Sequence, residues 1–272
     1  MSFEPSILKN LKLNDKNAII TGGLGYLGIK IVETLLELDC NVIIVDLENS
    51  DTKNKLLNLN KKFNTKVDFY NLDLSKNKEI NSFCEKIYNK YTRIDIIINN
   101  AALVGTSNLE GWCVPFEEQS MDTFDDCMQI NTKSHIILIQ KLCLLLKKSK
   151  NGKIINISSI YGNMGHDLKL YEDTNMGVPI AYSVSKAGLN ITTKYLASLY
   201  GKNNICVNTI ILGGIFRNQD QKFIEKYINK VPLNRMATEN DIKGIIAFLS
   251  SNLSNYITGQ DFVIDGGLTA TI

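Results

Sequence analysis

The sequence predicts an α/β fold in which a doubly wound parallel sheet carries helices on both faces. Short apolar runs rich in isoleucine and valine alternate with amphipathic stretches along the 272 residues. Several of these runs are continuously apolar, which is typical of strands covered on both faces. A strand followed by a helix, repeated many times, produces parallel strands with helices packed on both sides.

Seven strands and their connecting helices follow in chain order. The apolar runs predict strands at Ala18–Thr21, Asn41–Asp46, Val67–Tyr70, Ile94–Asn99, Lys153–Ser158, Cys206–Ile211 and Phe262–Asp265. Apolar residues at helical spacing predict a helix that begins near Leu27 and continues to Leu38. Further helices are predicted over about 77–90, 122–149, 181–200, 219–230 and 239–250. With no internal repeat or linker, residues 1–272 are expected to form one domain.

Composition narrows the possible function. A formal net charge of +2 gives no electrostatic reason to expect nucleic acid or an anionic membrane as a partner. The six cysteines form no CxxC pair and there are two histidines, so no metal site is predicted. Because the sequence has neither a signal-peptide pattern nor an apolar run long enough to span a membrane, we expect a reduced, cytoplasmic protein.

Residues 21–28 read TGGLGYLG and connect the first predicted strand to the first predicted helix. From Gly23 the segment matches G-x-G-x-x-G, which becomes informative in a strand–turn–helix context. Glycines let the backbone approach a pyrophosphate, and the helix N-terminus supplies N–H groups. The same segment would also suit a tight turn without a ligand. The residues predicted to bind a dinucleotide here are Gly22, Gly23, Gly25, Tyr26 and Leu27.

Polar and small residues after the next three strands extend the predicted cofactor site. Asp46 ends the second strand, where a carboxylate binds the ribose hydroxyls and repels a 2′-phosphate, so NAD is predicted in preference to NADP. Asp73 and Leu74 follow the third strand, and Asp73 is placed to meet the adenine. The fourth strand is followed by an amide and two small residues expected beside the cofactor, Asn100, Ala101 and Ala102.

A Y-x-x-x-K pattern supplies candidate chemistry. Tyr182 and Lys186 lie one turn apart on one face of a predicted helix. A nearby ammonium is expected to lower the pKa of the tyrosine, which suits a general acid or base acting between an alcohol and a carbonyl. Tyr26 and Lys30 have the same spacing. Because Tyr26 lies in the phosphate turn, we interpret that second pair as accidental.

Two upstream polar residues favour the pair at 182 and 186. Ser159 follows a predicted strand, where its hydroxyl could hold a substrate oxygen while charge develops on it. Asn131 lies in a helical run and could anchor a water molecule for a proton relay. Taken singly, each residue would also suit a capped helix or a satisfied surface polar group, so the argument depends on their order along the chain.

Together these residues resemble the short-chain dehydrogenase/reductase family over nearly the whole chain. The resemblance is carried by TGGLGYLG, Asp46, Asp73, NNAA at 99–102, Asn131, Ser159, Tyr182, Lys186, the stretch from Val207 to Ile215, and ITGQDFVIDGG at 257–267. It implies a seven-stranded Rossmann-type sheet, a catalytic tetrad and a homodimer or homotetramer joined through helices that include the Tyr–Lys helix. The tetrad would be Asn131, Ser159, Tyr182 and Lys186, with Gly213 and Ile215 also at the cofactor.

The chain departs from the family pattern at several positions. Tyr26 stands where the short form has glycine, so the turn reads TGxxGxxG, the spacing of the longer epimerase-like branch. Arg217 replaces a usual threonine, and is either an anion contact for the substrate or a solvent-exposed loop residue. Segments 104–120, 161–179 and 215–230 are expected to form the substrate pocket. Trp112 and His166, which lie in two of them, are further candidate substrate contacts.

A narrower resemblance concerns the substrate. LKLYEDTNMGVPIAYSVSKAGL, GGIFRNQ and PLNRMA are similar to bacterial oxidoreductases associated with flagellin modification and nonulosonic-acid pathways, which implies a sugar derivative. The sequence therefore favours an NAD-dependent oxidoreductase acting on a small molecule. Two alternatives stay open: a sugar epimerase or dehydratase that retains NAD, and a protein that senses NAD without turnover.

Overall fold

A computed structural model describes residues 6–65, 67–105 and 107–271. Outside these ranges lie residues 1–5 and 272 at the ends of the predicted domain, residue 66, and residue 106 within the predicted loop 104–120. Over the described ranges the chain forms one seven-stranded sheet with helices on both faces.

Seven parallel strands form the sheet in the order β3-β2-β1-β4-β5-β6-β7. The strands are β1 (Asn17–Thr21), β2 (Asn41–Asp46), β3 (Asp68–Asn71), β4 (Ile96–Asn99), β5 (Gly152–Ser159), β6 (Ile205–Leu212) and β7 (Asp261–Ile264). The strand order runs outward in opposite directions from β1 and β4, which pair with each other. In open α/β sheets this switch point is where ligands bind, beyond the carboxyl ends of the strands. The predicted doubly wound, Rossmann-type fold is confirmed.

Helices cover both faces of the sheet. They are α1 (Ile7–Leu11), α2 (Gly28–Glu37), α3 (Thr52–Phe63), α4 (Asn77–Lys90), α5 (Met121–Met128), α6 (Ser134–Lys147), α7 (Ile180–Tyr200), α8 (Gln221–Ile228) and α9 (Lys243–Ser250). Side chains of α2, α3 and α9 pack against one face, and those of α4, α6 and α7 against the other. In β1, Ile20 faces the first core and Ile19 the second, as the two-residue period of a strand requires.

The helices differ from the sequence prediction in four places. The sequence prediction missed α1 and α3; of the α3 residues only Thr52 and Leu59 are buried, so its apolar period is weak. The single helix predicted over 122–149 is divided by a π-turn, Gln129–Lys133, between α5 and α6. The helix predicted over 239–250 begins as a 3₁₀ turn, Glu239–Ile242, before α9. These differences leave the sheet and the switch point unchanged.

Across the described ranges no helix combines the length and apolarity needed to span a membrane. The same ranges contain no cluster of three His, Cys, Asp or Glu side chains arranged to hold a metal ion. All six cysteines lie within the described part of the chain and are unpaired thiols.

Candidate active site

A cavity of about 470 Å³ lies beyond the carboxyl ends of the central strands. It extends from the turn after β1 to the segments that follow β5 and β6. Most of the residues predicted for the cofactor and the chemistry line it. They are Gly22, Gly25, Tyr26, Leu27, Asp46, Asp73, Leu74, Asn100, Ala101, Ala102, Ser159, Tyr182, Lys186, Gly213, Ile215 and Arg217.

The turn after β1 requires glycine at positions that other parts of the chain approach closely. Gly22 has φ of +63°, and a Cβ there would lie 2.9 Å from the Ala101 Cα. A Cβ on Gly28 would collide with the Gly22 carbonyl oxygen. Gly23 does not line the cavity; a Cβ there would lie 2.9 Å from Ile44 Cγ2, so this glycine permits packing of the turn on β2.

The cavity side of the turn fits the diphosphate of a dinucleotide. Among described residues, a Cβ added to Gly25 would come within 4 Å of one atom, the Gly22 carbonyl oxygen at 3.2 Å. The space in front of Gly25 is therefore open, three residues before α2 begins at Gly28, which also lines the cavity. The N-terminus of a helix favours a bound anion. A phosphate can approach this backbone closely.

Asn100 holds the turn in place from β4. Its Nδ2 donates to the carbonyl oxygens of Thr21 (3.1 Å) and Gly22 (3.0 Å). Its backbone N–H and that of Ala101 donate to the Thr21 hydroxyl at 3.0 and 3.1 Å. The amide side chain of Asn100 thus positions the turn, while Ala101 and Ala102 leave room beside it.

Asp46 presents its carboxylate at the end of β2, next to the turn. Oδ2 accepts the backbone N–H of Leu24 at 2.8 Å, and Oδ1 accepts that of Leu47 at 2.8 Å. These bonds fix the carboxylate at the rim of the cavity. Each carboxylate oxygen has a further acceptor site, so the group can still bind ribose hydroxyls.

Asp73 and Leu74 continue the same rim. Asp73 Oδ1 accepts the N–H and hydroxyl of Ser75 at 2.9 and 2.7 Å. Although burial acts in the other direction, these hydrogen bonds and the Lys76 ammonium lower the pKa of Asp73. The Leu74 carbonyl accepts Nε2 of Gln129 at 3.1 Å. Asp73 is therefore held as a carboxylate at this rim, with the Lys76 ammonium 3.3 Å away.

Ser159 and Tyr182 meet in the cavity. The alternation of β5 directs the Ser158 hydroxyl to the Lys186 carbonyl (3.2 Å) and the Ser159 hydroxyl toward Tyr182. Burial raises the pKa of Tyr182, while the hydrogen bond from Ser159 and the charge of Arg217 act to lower it. The expectation that Lys186 would lower this pKa is therefore not met in the protein alone, because desolvation dominates.

Lys186 lies below Tyr182 on α7. Its Nζ donates to the Ile157 carbonyl at 2.9 Å and lies 5.7 Å from the centre of the Tyr182 ring. Burial lowers the pKa of Lys186 to about 8. The ammonium therefore loses its proton more readily than that of an ordinary lysine. Of its three N–H donors one is used by the Ile157 carbonyl, and because Lys186 lines the cavity the others can reach a ligand hydroxyl.

Asn131 lies in the π-turn and is fully buried. Its side chain accepts the Leu103 N–H at 2.7 Å and donates to the Leu103 carbonyl at 3.0 Å. Nδ2 also lies 3.0 Å from the Ser185 hydroxyl. The Asn131 side chain thus joins three segments around the site, and it does not line the cavity.

Trp112 and His166 lie outside the cavity lining, contrary to the expected substrate contacts. Trp112 is 2% exposed, its indole N–H donates to the Val104 carbonyl at 2.8 Å, and it packs in one cluster with Tyr182. His166 stacks edge-on against Tyr161 and lies 2.8 Å from the Ser183 hydroxyl. Both side chains brace the walls from behind.

The walls themselves include residues that the sequence analysis did not single out. Beyond the reactive groups the cavity is lined by aromatic and thioether side chains, Tyr161, Tyr171, Met176, Phe223, Tyr227 and Met236. Tyr161, Tyr171 and Met176 lie in segment 161–179 and Met236 follows α8, where no period predicts the direction of a side chain. Phe223 and Tyr227 lie one turn apart on the predicted helix 219–230, whose period shows that they share a face but not that this face lines the cavity. The Tyr161 and Tyr171 hydroxyls are 2.6 Å apart, and the Tyr227 hydroxyl accepts the Gly214 N–H at 2.5 Å.

Comparisons with known proteins identify the family to which the chain belongs. Residues 25–269 match a family model described as enoyl-(acyl carrier protein) reductase. Post-translational flagellin modification protein A of Campylobacter coli is 30% identical over 256 residues, which cover 94% of this chain and 98% of the relative. The chain belongs to the short-chain dehydrogenase/reductase family.

Two further members of the short-chain dehydrogenase/reductase family show how closely the chain follows it. The 3-oxoacyl-acyl-carrier-protein reductase FabG of Thermotoga maritima is 32% identical, with 95% of this chain and 99% of the relative covered. The crystal structure of a short chain dehydrogenase from Leptospira borgpetersenii with bound NAD⁺ is 36% identical, with a TM-score of 0.83 and 98% of both chains covered. As a member of this family, the protein is an NAD(P)-dependent oxidoreductase acting on a hydroxyl or carbonyl group.

Proposed function

We propose that this protein is an NAD-dependent dehydrogenase or reductase whose substrate is a small sugar derivative. The observation that carries the proposal is the convergence of Ser159, Tyr182 and Lys186 in one cavity with the glycine turn and Asp46. A hydroxyl or carbonyl placed between Ser159 and Tyr182 would meet two hydroxyl groups able to hold its oxygen.

Residues of the site donate and accept the proton that is transferred in the reaction. In the direction of reduction, the Tyr182 hydroxyl gives its proton to the substrate oxygen as the carbonyl carbon becomes a carbinol carbon; in oxidation the tyrosinate takes that proton back. Ser159 holds the same oxygen, and Lys186 lies close enough to stabilise the tyrosinate. When a nicotinamide dinucleotide is bound, it supplies or accepts the hydride.

Asp46 supports NAD in preference to NADP. Its carboxylate is fixed at the rim by Leu24 and Leu47 and would repel a 2′-phosphate. The Leptospira relative, 36% identical, has NAD⁺ bound. We expect kcat/KM with NAD to exceed that with NADP by at least about ten-fold, and Asp46→Asn to narrow this ratio. Equal kcat/KM values for the two cofactors in the wild-type protein would refute the role of Asp46.

The walls of the cavity support a sugar derivative. Tyr161, Tyr171 and Tyr227 offer aromatic faces for the C–H groups of a sugar ring and hydroxyls for its oxygens. Burial raises the pKa of all three phenols, so each remains a neutral hydroxyl. The relative from Campylobacter coli is named for flagellin modification. The volume of the cavity, about 470 Å³, is within the range of small-molecule sites, and the cavity extends beyond the residues expected at the dinucleotide to these aromatic walls.

The remaining proposals concern assembly and location. Helix α7 carries an exposed apolar stripe on the side away from the cavity, formed by Val184, Ile191, Tyr195 and Leu199. Such a stripe supports a homodimer or homotetramer joined through α7. Six unpaired cysteines support a reducing, cytoplasmic location.

The test is NADH formation with NAD and a panel of sugars, sugar phosphates, nucleotide sugars, hydroxyacyl thioesters and steroid alcohols. Tyr182→Phe should lower turnover by about 10²–10⁴-fold, because the transferred proton has no carrier, while NADH binding changes little. Tyr256→Phe is the matched control, since it makes the same change at a fully exposed position outside the cavity lining and should leave turnover unchanged. Wild-type turnover in Tyr182→Phe would contradict the mechanism. Protein that retains stoichiometric NAD without net reduction would favour an epimerase instead.

A further inference from the structure

The three arginines of the chain differ in their partners. Arg93 pairs with Asp95 at 3.1 Å, and Arg235 pairs with Asp241 at 2.8 Å. Arg217 makes no ion pair with any residue in the described part of the chain, although it lines the cavity. Its Nε is buried and has no hydrogen-bond partner among the described residues. A desolvated guanidinium N–H without an acceptor is unfavourable, so this group is poised for an anion that the chain itself does not supply.

The surrounding contacts hold Arg217 in this position. Its guanidinium lies over the Tyr26 ring, 4.8 Å from the ring centre. The Tyr26 hydroxyl lies 3.0 Å from both the Phe216 carbonyl and Glu239 Oε2, which ties the ring to the segment that carries Arg217. Gln219 accepts the Arg217 backbone N–H at 2.6 Å through Oε1. Stacking on an aromatic ring leaves the edge of a guanidinium, with its N–H groups, free for a ligand.

The acidic and the basic side chains that line the cavity lie at different ends of it. The carboxylates of Asp46 and Asp73 lie at the adenosine rim, where Asp73 is paired with the exposed Lys76, whereas Arg217 and Lys186 are cations that line the cavity with Tyr182. Arg217 is close enough to Tyr182 to act on its ionisation. Arg217 and Tyr182 line the same cavity, so an anionic group of a substrate held at Tyr182 could meet the guanidinium.

We propose that Arg217, stacked on Tyr26, forms an anion site that binds a carboxylate or phosphate group of the substrate. The planar guanidinium binds such groups through two parallel N–H···O bonds. This inference rests on the proposed function for the identity of the substrate, but the anion site itself does not require turnover. Because Tyr26 belongs to the glycine turn, the diphosphate of the dinucleotide is the other source of the same chemistry.

Three variants separate the two sources. Arg217→Met removes the guanidinium and keeps the length of an unbranched side chain, and Arg217→Lys keeps a positive charge without the planar fork. Lys222→Met, on the exposed surface of α8, makes the same change in net charge away from the cavity. Each protein is titrated with NADH, and each NADH-saturated protein is titrated with inorganic phosphate by calorimetry.

If Arg217 binds an anion of the substrate, inorganic phosphate should bind the NADH-saturated wild-type protein. The dissociation constant for phosphate should be about ten-fold or more higher in Arg217→Met and intermediate in Arg217→Lys. NADH affinity then changes little, and Lys222→Met behaves like the wild type. If NADH affinity falls ten-fold instead, the anion is the cofactor diphosphate and the substrate assignment is overturned. If wild-type holoprotein binds no phosphate, or binds it as well as Arg217→Met does, the anion site is overturned. Inactivity of every protein toward the whole panel would count against the proposed function but not against the anion site.

Discussion

His135 connects the two halves of the site through buried hydrogen bonds. Its Nδ1 lies 3.1 Å from the Asn131 carbonyl, and its Nε2 lies 3.4 Å from the Thr21 hydroxyl. The Thr21 oxygen already accepts the N–H groups of Asn100 and Ala101, so its own hydrogen is free for Nε2. His135 is therefore the Nδ1–H tautomer, and it joins the base of the glycine turn to the π-turn.

The ionisation of His135 predicts how stability depends on pH. Burial, with a smaller effect from the Lys186 charge, lowers the pKa of His135 to about 3. The unfolded chain binds a proton near pH 6.5 that the folded protein cannot bind. The contribution of neutral His135 to the free energy of unfolding is therefore complete above about pH 6.5. It is lost as the pH falls toward about 3, at up to about 1.4 kcal/mol per pH unit.

We expect His135→Gln to reduce the slope of the free energy of unfolding against pH between about pH 6 and pH 4. The reduction should correspond to at most one proton, or about 1.4 kcal/mol per pH unit. Urea unfolding over this range measures the effect as the slope of the free energy of unfolding against pH. His166→Gln is the comparison, because His166 is half-buried and the change in slope should be smaller. Equal slopes for the wild type and His135→Gln would show that His135 is not held neutral.

At the scale of elements, the glycine turn and the start of α2 act as one unit. A Cβ at Gly28 would collide with the Gly22 carbonyl oxygen, so the first turn of α2 cannot approach the loop unless residue 28 is glycine. We expect Gly28→Ala to lower the free energy of unfolding by about 1–3 kcal/mol and to weaken NADH binding about ten-fold or more.

The matched control is Gly244→Ala near the start of α9. A Cβ there meets nothing within 4 Å among described residues, and alanine favours a helix over glycine by up to about 1 kcal/mol. This variant should be as stable as the wild type or more stable, with unchanged NADH affinity. Thermal unfolding and NADH titration of both variants test the pair. Normal NADH binding by Gly28→Ala would contradict the proposed geometry of the turn.

The same comparison by element shows what the sequence could predict. The seven strands were predicted to within about two residues. The five inner strands carry isoleucine and valine runs that are buried on both faces, whereas β3 and β7, at the edges of the sheet, are short apolar or aromatic runs that are mostly half-buried. Helix α3 was missed because its exposed face is rich in lysine and asparagine. The π-turn at Asn131 changes the hydrogen-bond register without changing the apolar period, so no pattern in the sequence marks it.

The site residues also fall into those that the sequence could predict and those that it could not. Ser159, Tyr182 and Lys186 were predicted because their spacing on a strand and a helix fixes their directions, and the structure brings them to one cavity. Trp112 and His166 belong to loops, where spacing fixes no direction, and the structure places them behind the walls. The pKa of Tyr182 depends on burial, which a motif does not reveal.

At the scale of the whole molecule, α7 has two faces with different tasks. One face carries Tyr182 and Lys186 into the cavity. The other presents Ile191 and Tyr195, which are 64% and 67% exposed, in line with Val184 and Leu199. Residues at these spacings form one stripe along a helix. If two copies pair through this stripe, each would support the catalytic helix of the other.

A charge within the stripe is expected to separate the subunits. In a two-fold dimer, Tyr195→Glu places two carboxylates in the apolar contact, each costing about 2 kcal/mol or more, so the dissociation constant should rise by about a thousand-fold. Leu57→Glu is the matched control, because Leu57 is 56% exposed on α3, away from α7. Sedimentation velocity should show wild type and Leu57→Glu as oligomers and Tyr195→Glu as a smaller species. A monomeric wild-type protein would contradict pairing through α7, and an oligomer unaffected by Tyr195→Glu would place the contact on another surface.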